Sequence, residues 1–173
     1  IRNALYQGRS TQLLKKMVNN RQYLKVTGGS VKDNRMAGRE LILRFVAFYI
    51  FSRKKYLGDI DEFLSDAMMT LNENTKISEL DIISAFETGL KRAYCIFGSH
   101  SFRKSMPGEN KKAAINKSLF EVWLNVLTDI DEDDFELLIE YKDQFLDSYE
   151  EILYEDDFSE AVSRRGATSW GSS

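Results

Sequence analysis

The residues best suited to chemistry are few, so each can be weighed in turn. His100 is the only imidazole, in the segment Gly98-Ser99-His100-Ser101-Phe102-Arg103-Lys104. Hydroxyls beside an imidazole allow general-base work, but no carboxylate stands nearby in sequence to orient the ring. His100 therefore reads as an exposed loop histidine. Cys95 is the single cysteine and lies in the apolar run Ala93-Tyr94-Cys95-Ile96-Phe97. It reads as a buried, inert thiol. One cysteine and one histidine fall short of the usual zinc ligand set. Asp129, Asp131, Glu132, Asp133 and Asp134 crowd together, without the alternating oxygen pattern and central Gly of a calcium loop. They read as a solvated helix start. Thr27-Gly28-Gly29-Ser30 reads as a plain turn, because no strand–Gly-rich loop–helix pattern surrounds it. No complete catalytic site emerges, and neither a metal nor a cofactor is expected in this chain.

The basic residues offer more. Residues 1–55 hold thirteen Lys or Arg and two acids, a local charge of +11, whereas residues 129–173 hold three bases and fifteen acids, a local charge of −12. Lys15, Lys16, Arg21, Lys25, Lys32, Arg35, Arg39, Arg53, Lys54 and Lys55 are interleaved with Tyr6, Tyr23 and Tyr56. Such a pattern can meet phosphates with cations and stack bases on tyrosines. No recognition-helix motif accompanies it, so sequence-specific reading is not implied. Two readings stay open: the basic beginning and the acidic end neutralise each other across the fold, or the basic part faces nucleic acid.

These residues sit on a chain built for helices. It has 173 residues, eleven Phe, eight Tyr, two Trp and one Pro. That suits one core-bearing domain with few helix breakers. The expectation is an all-α, single compact domain of about seven helices around a buried central helix at about 35–52. That stretch is apolar all round after Glu40, and Glu40 and Arg44 are spaced i, i+4. Arg44 in such a setting needs a carboxylate or carbonyl partner.

Around it, residues 1–8 read as a helix end closed by Gly8, and Ser10 or Thr11 as the cap of a helix to about Asn20. Residues 21–34 read as a loop. Asp59 and Ser78 read as N-caps, the second opening a helix with Leu80, Ile83, Phe86, Leu90, Tyr94 and Phe97 inward to Gly98. Helices follow at 113–128 and 132–154, then a short one through Val162, making 1–163 the helical unit. Residues 164–173 read as a mobile tail. The longest apolar run, Leu41 to Phe51, is far short of the roughly 20 residues that span a bilayer. No charged-then-apolar leader is read, and the lone cysteine suits a reducing compartment, so the expected setting is cytoplasmic.

The order of several segments resembles the C-terminal helical half of the GmrSD-type restriction endonuclease N-terminal-domain family. Ile1-Arg2-Asn3-Ala4-Leu5-Tyr6-Gln7-Gly8 looks like its EIRNxxYxG helix without the beginning. Arg35-Met36, followed by Glu40-Leu41-Ile42-Leu43-Arg44-Phe45-Val46-Ala47-Phe48, looks like its central Arg-Met and Leu-Arg-Phe helix. Tyr56-Leu57-Gly58 leading to Phe63-Leu64, Phe97-Gly98 with Ser101-Phe102-Arg103, Lys117-Ser118-Leu119-Phe120-Glu121, and Phe158 to Val162 with Thr168-Ser169 follow in family order. Each motif is weak alone, and together they cover nearly the whole chain.

The resemblance implies a bacterial or archaeal anti-phage defence protein of the restriction type. A ParB-like domain bearing an Asp-Gly-Gln-Gln-Arg motif would precede this half, and that motif does not occur here. The present chain would then be its helical platform, with DNA as a further partner. The parent would be a nucleotide-dependent endonuclease whose catalytic residues lie elsewhere. The motifs mark Arg2, Arg35 and Arg103 as residues that reach nucleotide or phosphate, beside Lys15, Lys16, Arg53, Lys54 and Lys55. They mark Arg44, with Glu40, as an ion pair or a domain-docking residue. The rival reading is a protein–protein interaction domain with no nucleic-acid role.

Overall fold

The computed structural model describes residues 7–31, 36–51 and 55–167. Among these the chain is all-helical, with nine α-helices in one compact domain. They are α1 (Arg9–Val18), α2 (Arg21–Thr27), α3 (Ala37–Ile50), α4 (Ile60–Glu73), α5 (Glu79–Phe97), α6 (Lys117–Asp129), α7 (Glu132–Glu140), α8 (Lys142–Tyr154) and α9 (Asp156–Ala167). A 3₁₀ turn over Gly98–His100 extends the end of α5. Among the described residues, extended pairing is limited to one isolated bridge, between Arg103 and Ile115. No described helix is long and apolar enough to cross a membrane.

The central helix is where the apolar run placed it. In α3 every side chain from Leu41 to Ala47 is buried, and α1, α4, α5 and α6 pack around it. The longest helix pairing joins α5 to α6. Gly89 permits it: a Cβ there would stand 2.5 Å from Thr128 Oγ1 and 3.1 Å from the Leu124 carbonyl. Across the middle runs a chain of aromatic rings. Tyr23 of α2 meets Phe86 at 6.0 Å and Phe120 at 6.3 Å, Phe45 meets Phe86 at 5.4 Å, and Phe102 meets Phe120 at 4.7 Å. Such contacts add orientation to the large apolar area each ring buries. A second cluster, Phe97, Trp123, Phe145 and Tyr149, holds α8 on α5 and α6, with Trp123 Nε1 donating to Tyr149 Oη at 3.1 Å.

Several expectations need correction. Among the described residues the helices number nine rather than about seven, for two local reasons. The supposed loop at 21–34 contains α2. Asn20 caps it by accepting from the Gln22 and Tyr23 N–H groups, and Gly28 closes it in the left-handed conformation at φ 62°. The supposed single helix 132–154 is interrupted at Tyr141. There the backbone ladder persists on either side, from Tyr141 N–H to the Leu137 carbonyl and from Phe145 N–H to the Tyr141 carbonyl. Phe135, Leu138, Phe145, Tyr149 and Leu153 keep one helical phase through the interruption, so periodicity carries no trace of it.

Elsewhere the N-cap of α1 is Gly8 rather than Ser10 or Thr11. Ser10 is buried, and its N–H donates to Asn72 Oδ1 at 2.8 Å. Leu80 is 78% exposed, and Ile82 is buried in its place, because Leu80 sits in the first turn of α5 on its outer side. The sixth helix begins at Lys117, capped by Asn116, rather than at 113. Asp59 and Ser78 cap α4 and α5 as read. The last helix runs to Ala167, beyond Val162. Residues 1–6 of the first expected helix and 168–173 of the expected tail lie outside the described residues.

Candidate functional site

Arg103 is the candidate whose surroundings are most telling. It follows Phe102, a non-glycine residue at φ 62°, which turns the chain inward. Its guanidinium is buried and donates to the carbonyls of Ala113 at 2.5 Å and Thr27 at 2.9 Å, and to Ser30 Oγ at 3.0 Å. Thr27 is the last residue of α2, and its carbonyl accepts from Arg103 together with the Ser30 N–H and Oγ. Burial holds the Arg103 pKa below its usual value. The Thr27–Ser30 turn is thus a receptor for an arginine of the same chain.

Two further arginines do similar work. Arg9 reaches the end of α4 and the turn after it, donating to the carbonyls of Leu71, Asn74 and Ile77 while its Nε lies 2.7 Å from Glu79. Arg92 binds the end of α6 through the Leu127 and Ile130 carbonyls at 2.9 and 2.8 Å, pairs with Glu132 at 2.6 Å and lies over the Phe135 ring. A cation at a helix C-terminus meets both the unpaired carbonyls and the negative end of the dipole.

Arg44 finds the carboxylate its position demanded on another helix. Its Nη1 lies 3.2 Å from Glu121 of α6, with both side chains largely out of solvent. Glu40 neighbours Lys117, one turn before Glu121. Burial pushes the Lys117 ammonium pKa down, Glu40 pulls it back up, and Arg44 adds to the lowering. Glu40, Arg44, Lys117 and Glu121 therefore bring two alternating-charge pairs together along the α3–α6 seam. Buried charges survive when so paired.

The remaining basic candidates divide. Lys15 and Lys16 are exposed at the end of α1, Lys16 standing 3.9 Å from Glu79. Arg21 and Lys25 are exposed on α2, and Lys25 Nζ lies 4.5 Å from the centre of the Tyr94 ring. Lys55 is exposed with its Nζ over the Phe51 ring. Arg2, Arg35, Arg53 and Lys54 lie outside the described residues, as do Tyr6 and Lys32. Tyr23 is wholly buried in the aromatic core and Tyr56 packs on Phe63, so neither is a free stacking platform.

Two readings of reactive residues also change. Cys95 is exposed, not buried, because α5 turns this side outward within an otherwise apolar run. His100 is buried, not exposed: its Nδ1 lies 2.9 Å from Ser105 Oγ. Ser105 Oγ also accepts from the Ala113 N–H at 3.1 Å. Ser105 is itself buried, so this pair fastens the 98–116 loop and presents no nucleophile to solvent. The nearby Glu109 carboxylate accepts from Tyr154 and from the Met106 N–H, which hold its pKa down. Sequence distance hid this neighbourhood, since Ser105 and Glu109 lie five and nine residues beyond His100.

Shallow clefts complete the inventory. One, of about 380 Å³, lies among Tyr49, Asp81, Thr88, Thr128 and Asp129, and another, of about 400 Å³, among Met106, Glu109, Asp143, Asp147 and Glu150. Neither is lined by His100 or Ser105. In the acidic cluster Asp131 caps α7 by accepting from the Asp134 N–H, and no described group of three or more His, Cys, Asp or Glu could hold a metal ion. No protein-family model matches the chain, and neither a curated protein nor a solved structure matches it.

Proposed function

We propose that this domain is the helical platform of a prokaryotic, restriction-type defence protein of the GmrSD kind, presenting a basic face to DNA. Support comes from the order of the family-like segments and from one structural observation that carries the reading. The arginines at structural positions are turned inward, while Lys15, Lys16, Arg21, Lys25 and Lys55 are left exposed on the first part of the chain. Flexible, exposed cations without a recognition helix suit phosphate contact irrespective of sequence. In this reading a ParB-like domain of the same protein docks on the platform, the setting is cytoplasmic, and the endonuclease chemistry belongs to the parent's other domains.

The test is an electrophoretic shift with duplex DNA across a salt series. Binding should be strongest at about 50 mM salt and fall steeply with added salt, as counterion release requires. Lys15→Glu with Lys16→Glu should weaken it and flatten the salt slope. Absence of binding at low salt, by this chain and by the full-length parent, would sink the DNA role.

A second reading, a protein-interaction domain without nucleic-acid contact, is favoured by a different observation. Leu137, Ile139 and Tyr141 are exposed amid the acids of α7. Retained partner capture by a chain that never binds DNA would select it.

A further inference from the structure

The outer side of α5 lies between two oppositely charged neighbours. Ser84, Lys91 and Cys95 are exposed along one stripe of that helix. At about 100° per residue, Glu87 and Tyr94 fall on one side of this stripe and Arg92 on the other. Contacts agree with the projection. On the first side Glu87 accepts from Asn20 Nδ2 at 2.7 Å and Lys25 Nζ covers Tyr94, which places α2 there. On the other side Arg92 pairs with Glu132 and meets Phe135, which places α7 there, and Lys142 Nζ reaches the Cys95 carbonyl at 2.9 Å.

The two flanks are chemically complementary. The α2 flank exposes Arg21 and Lys25 around Leu24, which is 44% exposed. The α7 flank exposes Asp133, Glu136 and Glu140 around Leu137, which is 53% exposed. None of these three acids has an ion-pair partner among the described residues, and Glu132 is the α7 acid that Arg92 holds. Within one molecule the flanks are kept apart by the width of α5. The cations of α1 turn to Glu79 of α5 instead, through Arg9 and Lys16, and α7 is held by Arg92 of α5. A face whose middle strip carries Ser84, Lys91 and Cys95 between a basic and an acidic edge sets opposite charges across from each other when two copies are related by a two-fold axis along that strip, with Lys91 adding to the basic side. Closed two-fold dimers are the commonest homo-oligomers, and they need such a patch.

We infer that a second copy of this chain docks on the α2–α5–α7 face, its acidic α7 flank against the basic α2 flank of the first, and the reverse. The contact is formed twice, with Cys95 close to the rotation axis. Leu24 and Leu137 supply the apolar part of each contact, and the charges fix the orientation. The inference shares Arg21 and Lys25 with the DNA reading, and the acidic flank, which that reading does not use, separates the two.

The experiment is light scattering on the full chain at about 50 mM and about 500 mM salt, where surface charges are unscreened and screened in turn. The expected result at low salt is twice the 20.0 kDa chain mass, falling towards monomer at high salt. Glu136→Lys with Glu140→Lys, and separately Arg21→Glu with Lys25→Glu, should each abolish the dimer, with circular dichroism confirming that each folds. A one-to-one mixture of the two variants should restore it, because their flanks become complementary again. A short bis-maleimide should cross-link Cys95 to Cys95 only where the dimer forms. The acidic-flank variant, which gains four positive charges and leaves Arg21 and Lys25 uncovered, should bind DNA at least as tightly as the unaltered chain.

Three results would overturn the inference. The first is a chain that stays monomeric at low salt; if it then captures oligolysine, the acidic flank belongs to a foreign basic partner. The second is assembly that grows without limit, which is open head-to-tail association. The third is a dimer that neither charge reversal weakens.

Discussion

The frame formed by α1 to α6 and the outer layer formed by α7 and α8 use apolar residues in opposite ways. In the frame, Tyr23, Phe45, Phe86, Phe102 and Phe120 are fully buried and in contact with one another. In the outer layer, α7 has no buried side chain at all, and α8 buries Tyr149 and Leu153. Most acids of the chain's last third lie on that second, lightly anchored layer. Stability is thus concentrated in the frame, while most of those acids sit where little stability is at stake. A surface carried on such a layer can be altered without undoing the core.

Substitutions in the two regions should separate widely. Phe86→Ala or Phe120→Ala should cost about 3–5 kcal/mol, as for large side chains removed from a well-packed core. Leu137→Ala should stay within about 0.5 kcal/mol. Urea denaturation measures both, and a comparable loss for Leu137→Ala would break the division. Next in size is Arg103→Ala, which removes the guanidinium's bonds to the Ala113 carbonyl, Ser30 Oγ and the Thr27 carbonyl, the last still met by Ser30, a loss of roughly 1–3 kcal/mol. Hydrogen exchange should locate that loss first at the end of α2. Arg103→Lys should rescue little of it, since one ammonium cannot reproduce the planar fork.

Gly89→Ala is the next test of the frame. The new methyl would collide with Thr128 and with backbone at Leu124. Overpacking should cost about 1–3 kcal/mol, less the helix propensity gained over glycine. A stabilised variant would show that α5 and α6 can part freely. In the outer layer, Asp131→Ala should remove the α7 cap for about 1 kcal/mol. Hydrogen exchange should rise in α7 while the frame stays protected.

The smallest effect is alkaline. Tyr154 donates to Glu109, and that bond with the surrounding charge pushes the phenol pKa up to about 12. The folded state holds this proton more tightly than the unfolded chain. The contribution is therefore intact below about pH 10, the ordinary tyrosine value, and is lost as pH rises towards 12. Tyr154→Phe should remove that part of the alkaline sensitivity. A phenolate absorbance titration with no late-ionising tyrosine would disprove it.

The all-helical class, the central helix and the caps at Asp59 and Ser78 were legible because each is written locally, in period or in cap chemistry. The need of Arg44 for a partner was legible too, although its identity was not: Glu121 lies on a helix 77 residues away in sequence. The same distance hid the carbonyl contacts of Arg103, Arg92 and Arg9, since a carbonyl has no residue type to read. Asn20 and Gly28 did bracket α2 in the sequence, but the Thr-Gly-Gly-Ser turn drew the boundary too early. Burial of His100 and exposure of Cys95 depend on which way one helix faces, and a single apolar run does not encode that.

The arginines that hold helix ends have a consequence for covalent labelling. With Arg9, Arg44, Arg92 and Arg103 committed inside the fold, the accessible cations of the described first helices are largely lysines. Acylating their amines would erase much of the positive face yet leave every helix terminus fastened. Arginine-directed dicarbonyl reagents would do the opposite at these four positions, reaching them as the chain begins to open and then preventing its return.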